Sequence, residues 1–283
     1  MTAGLRKTAA LIALAVMFTG CSAPAESESG AALPDVVGSM DIRYAEQFSV
    51  DYLADGSALA EVADGRRYLI IPDGGEVPEQ LPEDVTVISQ PENIYLASSS
   101  SMDLFSSLDC LGDILASSTP ESGWKLPEIA QAMADEDILY AGKYSSPDIE
   151  LLMSEGCDLA IENMMIYHSP KTAEQIESCG IPVFIERSSA ESHPLGRLEW
   201  VRLYGLMLGK SDEAEKFFSE KCSLLDEVTS RESTGCTAAF FYISSNGSAV
   251  VRKPGDYISK MIELAGGKYV FTAGDLNVDE NAL

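Results

Sequence analysis

Apolar positions fall into three textures along the chain. From Phe48 to Ile71 they alternate with polar ones in three short runs, Phe48 to Leu53, Ala58 to Val62 and Arg67 to Ile71, separated by Asp55-Gly56 and Asp64-Gly65. Asp-Gly between alternating runs predicts hairpins with positive φ at both central turn residues, and so a small antiparallel meander. Beyond Val85, short apolar runs alternate with helical stretches. Val85 to Ile88, Ile94 to Ala97, Ile114 to Ser117, Ile138 to Tyr140, Leu159 to Glu162 and Val183 to Glu186 read as strands, and residues 102–111, 126–135, 147–155 and 170–178 as helices. That alternation predicts parallel βαβ units. Ser146-Pro147 and Ser169-Pro170 each offer a hydroxyl at an N-cap and a preset φ at the first helical position.

The third texture is helical. Leu195, Leu198, Trp200, Val201, Leu203, Tyr204, Leu206, Met207 and Leu208 leave little polar face, which predicts a helix buried on most sides and ended by Gly209. Ser211 then caps a second helix whose stripe is Ala214, Phe217, Phe218, Leu224, Leu225 and Val228, with Asp212, Glu213 and Glu215 at its positive end. Thr237 to Ile243 reads as a strand, Asn246-Gly247 as a turn, and Tyr257 to Ala265 as a helix closed by Gly266-Gly267. Met40 to His193 therefore supplies a complete α/β lobe. Thr237 to Leu283 supplies one clear strand and one helix, so the second lobe is expected to be minimal or incomplete.

The first residues stand apart from this pattern. Arg6 and Lys7 precede an apolar run from Ala9 to Phe18, followed by Thr19, Gly20 and Cys21. The run is well short of the about 20 residues that a membrane span requires and has the length of a signal-peptide core. Small residues before a cysteine resemble the bacterial lipobox, with Phe18 where Leu is usual. The expectation is a signal peptide at 1–20, cleavage before Cys21, and a diacylglycerol anchor on that cysteine, with more than one acyl chain holding it stably. An ordinary secretory signal is the alternative. Residues 21–39, rich in Ser, Ala, Glu, Gly and Pro at their start, read as a flexible tether.

Charge and cysteine usage narrow the function classes. With 19 Lys plus Arg against 45 Asp plus Glu the net charge is −26, which argues against a nucleic-acid partner because phosphate binding needs surplus surface cations. Cys110, Cys157, Cys179, Cys222 and Cys236 remain beside Cys21, an odd number that excludes a fully paired disulfide framework. Cys157 and Cys179 each precede a predicted strand, leaving open a pair or two buried thiols. His168 and His193 are the only histidines and no CxxC occurs, so a dedicated metal-ion site is not expected. No Walker A, GxGxxG or GxSxG motif is present, which leaves an enzymatic reading without its usual nucleophile or phosphate loop.

From Tyr140 onward the chain resembles the class III substrate-binding proteins of ABC importers, the group that captures cobalamin, ferric siderophores and haem. The resemblance rests on Tyr140-Ala-Gly-Lys-Tyr144, Ser146-Pro-Asp-Ile-Glu150, Asp158-Leu-Ala-Ile-Glu162-Asn163, Gly180-Ile-Pro-Val183, His193-Pro-Leu-Gly-Arg-Leu-Glu-Trp200, Tyr204-Gly205, Leu208-Gly-Lys210 and the Tyr257 to Gly267 segment. It implies a two-lobed periplasmic-binding-protein-like α/β fold with a long interlobe helix. The expected parts are an N-terminal lobe at 40–194, a helical linker at 195–229 and a partial C-terminal lobe at 230–283, as in a C-terminally truncated copy. It implies an extracytoplasmic, membrane-anchored receptor, not an enzyme, that needs no cofactor and works with an ABC permease and ATPase. Its cargo would be an iron complex, siderophore or haem, or cobalamin. In the family one glutamate per lobe docks on the permease; Glu150 matches the first, and the second falls in a segment this chain barely reaches. A membrane-tethered sensor or adhesion module, or less favoured a serine hydrolase built on Ser98 to Ser101, are the alternatives.

Ligands of open α/β sheets lie at the carboxyl ends of the strands. That rule selects Ser98, Ser99 and Ser100, Tyr144, Glu162 and Asn163, Arg187, His193 and Arg252. The serines offer hydroxyls and backbone N–H groups, or form a solvated loop. Tyr144 offers a ring to stack on a corrin, porphyrin or catecholate. Arg187 and Arg252 offer partners for carboxylates. His193 either ligates a metal centre of the cargo or opens the helix that follows Pro194.

Overall fold

The computed structural model describes residues 33–233 and 235–279. The proposed signal peptide, Cys21 and the tether as far as residue 32 lie outside them.

The meander forms, and it is larger than expected. β1 (Val36–Ser39), β2 (Phe48–Leu53), β3 (Ala58–Val62) and β4 (Arg67–Ile71) are antiparallel neighbours, and β5 (Val85–Ser89) lies parallel to β4. Val85 to Ile88 thus joins the meander and not the βαβ series, because no helix separates it from β4. The Asp-Gly turns also differ from expectation. Only Gly56 and Gly65 take positive φ (+88° and +87°). The Leu53 N–H donates to the Ser57 carbonyl at 2.8 Å and the Gly56 N–H to the Leu53 carbonyl at 3.0 Å, which makes a three-residue loop closed by a glycine bulge. Such a loop needs one left-handed residue where the two-residue turn needs two. Asp55 instead accepts from the Ser57 N–H and hydroxyl, at 3.0 and 2.6 Å.

The second sheet is built from β6 (Ile94–Leu96), α1 (Met102–Ser107), β7 (Ile114–Ser117), α2 (Pro127–Ala134), β8 (Leu139–Tyr140), a short hairpin of β9 (Gly142–Lys143) and β10 (Ser146–Pro147), α3 (Ile149–Ser154), β11 (Leu159–Asn163), α4 (Pro170–Ser178) and β12 (Val183–Glu186). Its five strands run parallel in the order β12-β11-β6-β7-β8. Phe105 of α1 and Ile129 of α2 pack on one face with Ile94 and Ile161, while Leu152 of α3 and Ile176 of α4 pack on the other with Tyr95 and Ile185. The sheet is doubly wound, and its topological switch point lies between β6 and β11. Two expected caps are corrected. Ser146-Pro147 belongs to the β9–β10 hairpin, and Asp148 caps α3 by accepting from the Leu151 N–H at 3.0 Å. Gly142, at φ +85°, permits the fold-back: a Cβ there would lie 3.0 Å from the Ser146 carbonyl oxygen. Ser169 and Pro170 do open α4, without a side-chain cap bond.

α5 (Pro194–Met207) lies between the two sheets and α6 (Ser211–Thr229) returns beside it. Trp200 meets Phe48 of the first sheet at 4.9 Å and Phe184 of the second at 6.2 Å between centroids, and Tyr204 meets Phe105 at 5.1 Å. The Tyr68 hydroxyl accepts from the Ile185 N–H at 3.2 Å, tying sheet to sheet directly. Gly209, at φ +66°, ends α5 as expected, but Lys210 and not Ser211 is the N-cap of α6. Two buried glutamates fasten the strand-free segment before β2. Glu199 accepts from the N–H groups of Arg43, Tyr44 and Ala45 at 2.7–2.9 Å, and Glu191 from those of Glu46 and Gln47 and from the Trp200 indole.

The remaining described residues form β13 (Thr237–Ala238), β14 (Phe241–Ile243), β15 (Ala249–Val251), α7 (Tyr257–Leu264), β16 (Lys268–Tyr269) and α8 (Ala273–Leu276). The run Thr237 to Ile243 is split: β13 pairs in parallel with β16, and β14 forms a hairpin with β15 around Gly247. α7 is capped by Asp256, which accepts from the Ile258 N–H at 2.8 Å, and packs against α5 and α6. Cys110, Cys157 and Cys222 are buried thiols and Cys179 is a half-buried one. Among the described residues no helix is long and apolar enough to cross a membrane.

Candidate functional site

The carboxyl ends of the parallel strands are held by a buried glutamate. Glu186, the last residue of β12, is fully buried and accepts from the Ser98 hydroxyl at 2.5 Å, the Ser100 hydroxyl at 2.9 Å and the Ser188 N–H at 2.8 Å. Ser101 shares a 2.9 Å hydrogen bond with the Tyr204 hydroxyl. Asn163, at the end of β11, donates to the Ala97 carbonyl at 3.1 Å and accepts from the Met165 N–H at 2.8 Å. The loops that diverge at the switch point are therefore fixed by side chains. Ser98 is buried, and Ser99 and Ser100 are exposed.

Above these ends, two cavities flank the meeting of α5 with α7. One, of about 280 Å³, is lined by Ser100, Asp103, Ser188, Arg197, Tyr257 and Met261 among others. The Arg197 guanidinium sits over the Tyr257 ring, 4.0 Å from its centroid. That geometry is a close cation–π contact, and no carboxylate pairs with Arg197 among the described residues. The other cavity, of about 520 Å³, is lined by Ser192, His193, Lys260, Lys268, Phe271 and Thr272 among others. His193 accepts from the Leu195 N–H through Nδ1 at 3.1 Å and stacks on Tyr44 at 4.7 Å. Burial, then the nearby Lys260 cation, push its pKa down. His193 thus opens α5, and only its Nε2 edge is left for a ligand. Arg197 shares the smaller cavity with Asp103, and the larger one carries Lys268 and a Lys260 that pairs with Glu263 at 3.7 Å. Arg197 over Tyr257 in the smaller cavity suits an anionic, ring-bearing ligand.

Other candidates lie apart from these cavities. Tyr144 is half-buried on the α3/α4 side of the second sheet. Arg187 donates to the Gln47 side chain and to the Tyr167 hydroxyl, both at 3.1 Å, and Tyr167 donates to Asp64 at 2.6 Å, a chain that joins the two sheets at their flank. Arg252 pairs with Asp256 at 3.3 Å and lies over Phe240. Glu162 is fully buried with no hydrogen-bond partner among the described residues, and burial pushes its carboxyl up to about 8. Glu150 stands exposed in the first turn of α3. The candidates had missed Glu186, Ser188, Arg197 and Tyr257. An acidic residue ending the apolar run Val183 to Ile185 was a usable signal for the first; the pairing of Arg197 with Tyr257, 60 positions on, had none.

No family model matches the chain. An uncharacterized lipoprotein of Methanocaldococcus jannaschii is 24% identical over 234 residues, which cover 76% of this chain and 54% of that protein. Among solved structures, the periplasmic heme-binding protein HutB of Vibrio cholerae is similar with a TM-score of 0.53 at 16% identity, covering 62% of this chain and 65% of that one. The petrobactin-binding protein YclQ of Bacillus subtilis is similar at 0.54 and 12%, covering 75% and 66%. A periplasmic binding protein of Veillonella parvula is similar at 0.55 and 16%, covering 69% and 66%. The chain thus spans about half the length of the curated relative and about two thirds of these structures. Its α/β fold is the one shared by these periplasmic binding proteins.

Proposed function

We propose that the chain is an extracytoplasmic substrate-binding lipoprotein that captures a bulky anionic ligand, a ferric siderophore or haem, or else cobalamin, for an ABC importer. The observation that carries this reading is the opening between the strand ends and α7, where Arg197, paired with no carboxylate among the described residues and set over Tyr257, lines the same cavity as Ser100 and Ser188. The siderophore- and haem-binding proteins that share the fold support the ligand class. In this reading the guanidinium pairs with a propionate or catecholate oxygen and Tyr257 lies along a ring face. The protein holds its ligand and performs no covalent step on it. Glu150, exposed at the start of α3, is the proposed contact to the permease, and Cys21 the lipid anchor. Calorimetric titration with haem, a ferric tris-catecholate, a ferric hydroxamate and cyanocobalamin tests the reading. One of them should bind with a Kd of about 10 μM or tighter, roughly −7 kcal/mol. Failure of all four to bind overturns it.

A further inference from the structure

The cleft does not end at Met261. A second cavity of about 320 Å³ runs between α5, α6 and α7, and Pro194, Leu198 and Met261 line both it and the cleft that holds Arg197. Beyond those three shared residues its walls are Leu195, Leu225, Val228, Leu264 and other apolar side chains. The charged group on it is Lys221, whose ammonium lies over the Phe217 ring at 4.6 Å. The chamber that holds Arg197, Asp103 and Ser188 therefore adjoins a hydrocarbon-lined channel. Leu224 and Met261 on its wall are 55% and 48% exposed, and apolar surface left open in this way is a cost unless something covers it. Water gains nothing from such walls, and a polar ligand leaves them bare.

We propose that the ligand is an amphiphile, with an anionic head at Arg197 and an alkyl or acyl tail along the α5–α6–α7 groove. This deepens the proposed function and rests on its placement of the ligand's anionic part at Arg197. Three features favour a tail over a protein partner. The groove is continuous with the ligand cleft through shared side chains; the cation at the junction selects a negative head; and the walls beyond it carry no hydrogen-bonding side chain except Lys221 at the rim.

The test uses the whole protein and alkyl carboxylates as probes. Dodecanoate should bind roughly a hundredfold or more tighter than butyrate, since each buried methylene adds favourably to binding. Dodecyltrimethylammonium, with the tail and the wrong head, should bind at least tenfold more weakly than dodecanoate. Leu224→Glu, at an exposed position that lines the groove alone, should reduce the chain-length preference at least tenfold while leaving butyrate binding unchanged, and Arg197→Gln should weaken both carboxylates. Equal affinity for butyrate and dodecanoate, or for the two dodecyl heads, overturns the proposal. So does a ligand-free dimer that Leu224→Glu dissociates, which would assign the groove to a second copy. If an iron complex or cobalamin binds without any chain-length effect, the amphiphile proposal fails and the receptor reading stands. If dodecanoate binds as expected and none of the four cargo compounds does, the receptor reading fails instead.

Discussion

Arg197 and Tyr257 touch face to cation at 4.0 Å, and through them the α/β body that carries α5 meets α7 at the rim of the cleft. One contact thus links the two parts of the chain and presents charge to the opening. Arg197→Ala is expected to weaken binding of an anionic ligand at least tenfold, about 1.4 kcal/mol, with little change in thermal midpoint. Arg252→Ala, at a cation already paired with Asp256, should leave affinity unchanged. Isothermal titration of both variants decides it; equal losses would contradict the placement of the ligand.

Glu199 holds three consecutive backbone N–H groups and an ion pair with Arg202 at 3.1 Å, all near the buried start of α5. Glu199→Ala would leave those three donors without their acceptor, while Arg202 keeps its ion pair with Glu215 at 2.8 Å. A loss of about 3 kcal/mol is expected, from part-buried backbone donors left unsatisfied. Urea unfolding should show a lower midpoint at unchanged slope. Glu199→Gln, which keeps one acceptor oxygen, should cost less.

Glu162 makes stability depend on pH. Its carboxyl is pushed from the ordinary 4.5 up to about 8 by burial, so the folded chain holds the proton more tightly than the unfolded one. That contribution is fully present below about pH 4.5, is lost as pH rises toward 8, and does not change further above it. The loss is at most roughly 5 kcal/mol. Glu162→Gln should flatten this part of the profile and raise the thermal midpoint at pH 8 by several degrees, while the two proteins converge near pH 4.5. Parallel profiles for the two would contradict it.

In the proposed function Cys21 carries the lipid anchor. Cys21→Ser is expected to move the protein from the membrane to the soluble fraction, read by fractionation and immunoblot. An unchanged membrane share would contradict the lipid anchor.

Much of the fold was legible in local pattern. The βαβ alternation from Ile94 to Glu186 placed the parallel strands to within a residue or two, since a buried strand must be apolar on both faces. Val85 to Ile88 was misassigned because its membership depends on a parallel pairing with β4 that no local signal encodes. The Asp-Gly turns were found but their type was not, as one added loop residue moves the burden of positive φ onto glycine alone. The site was less legible. Ser98 and Ser100 were selected for their hydroxyls, and those hydroxyls are spent on Glu186, 88 and 86 positions away. Arg187 and Arg252 were selected as cations, and each is engaged elsewhere. Arg197 lay unnoticed within the recognised motif, because its role depends on which face of α5 meets α7.

Amide hydrogen exchange with and without ligand tests the central claim most directly. With haem, cyanocobalamin and the two ferric siderophores each in excess, at least one should slow exchange in residues 98–104, 188–197 and 255–261 together, leaving the turns at Gly56 and Gly65 unchanged. Protection confined to other segments, or none with any of the four, would contradict a ligand held between the strand ends and α7.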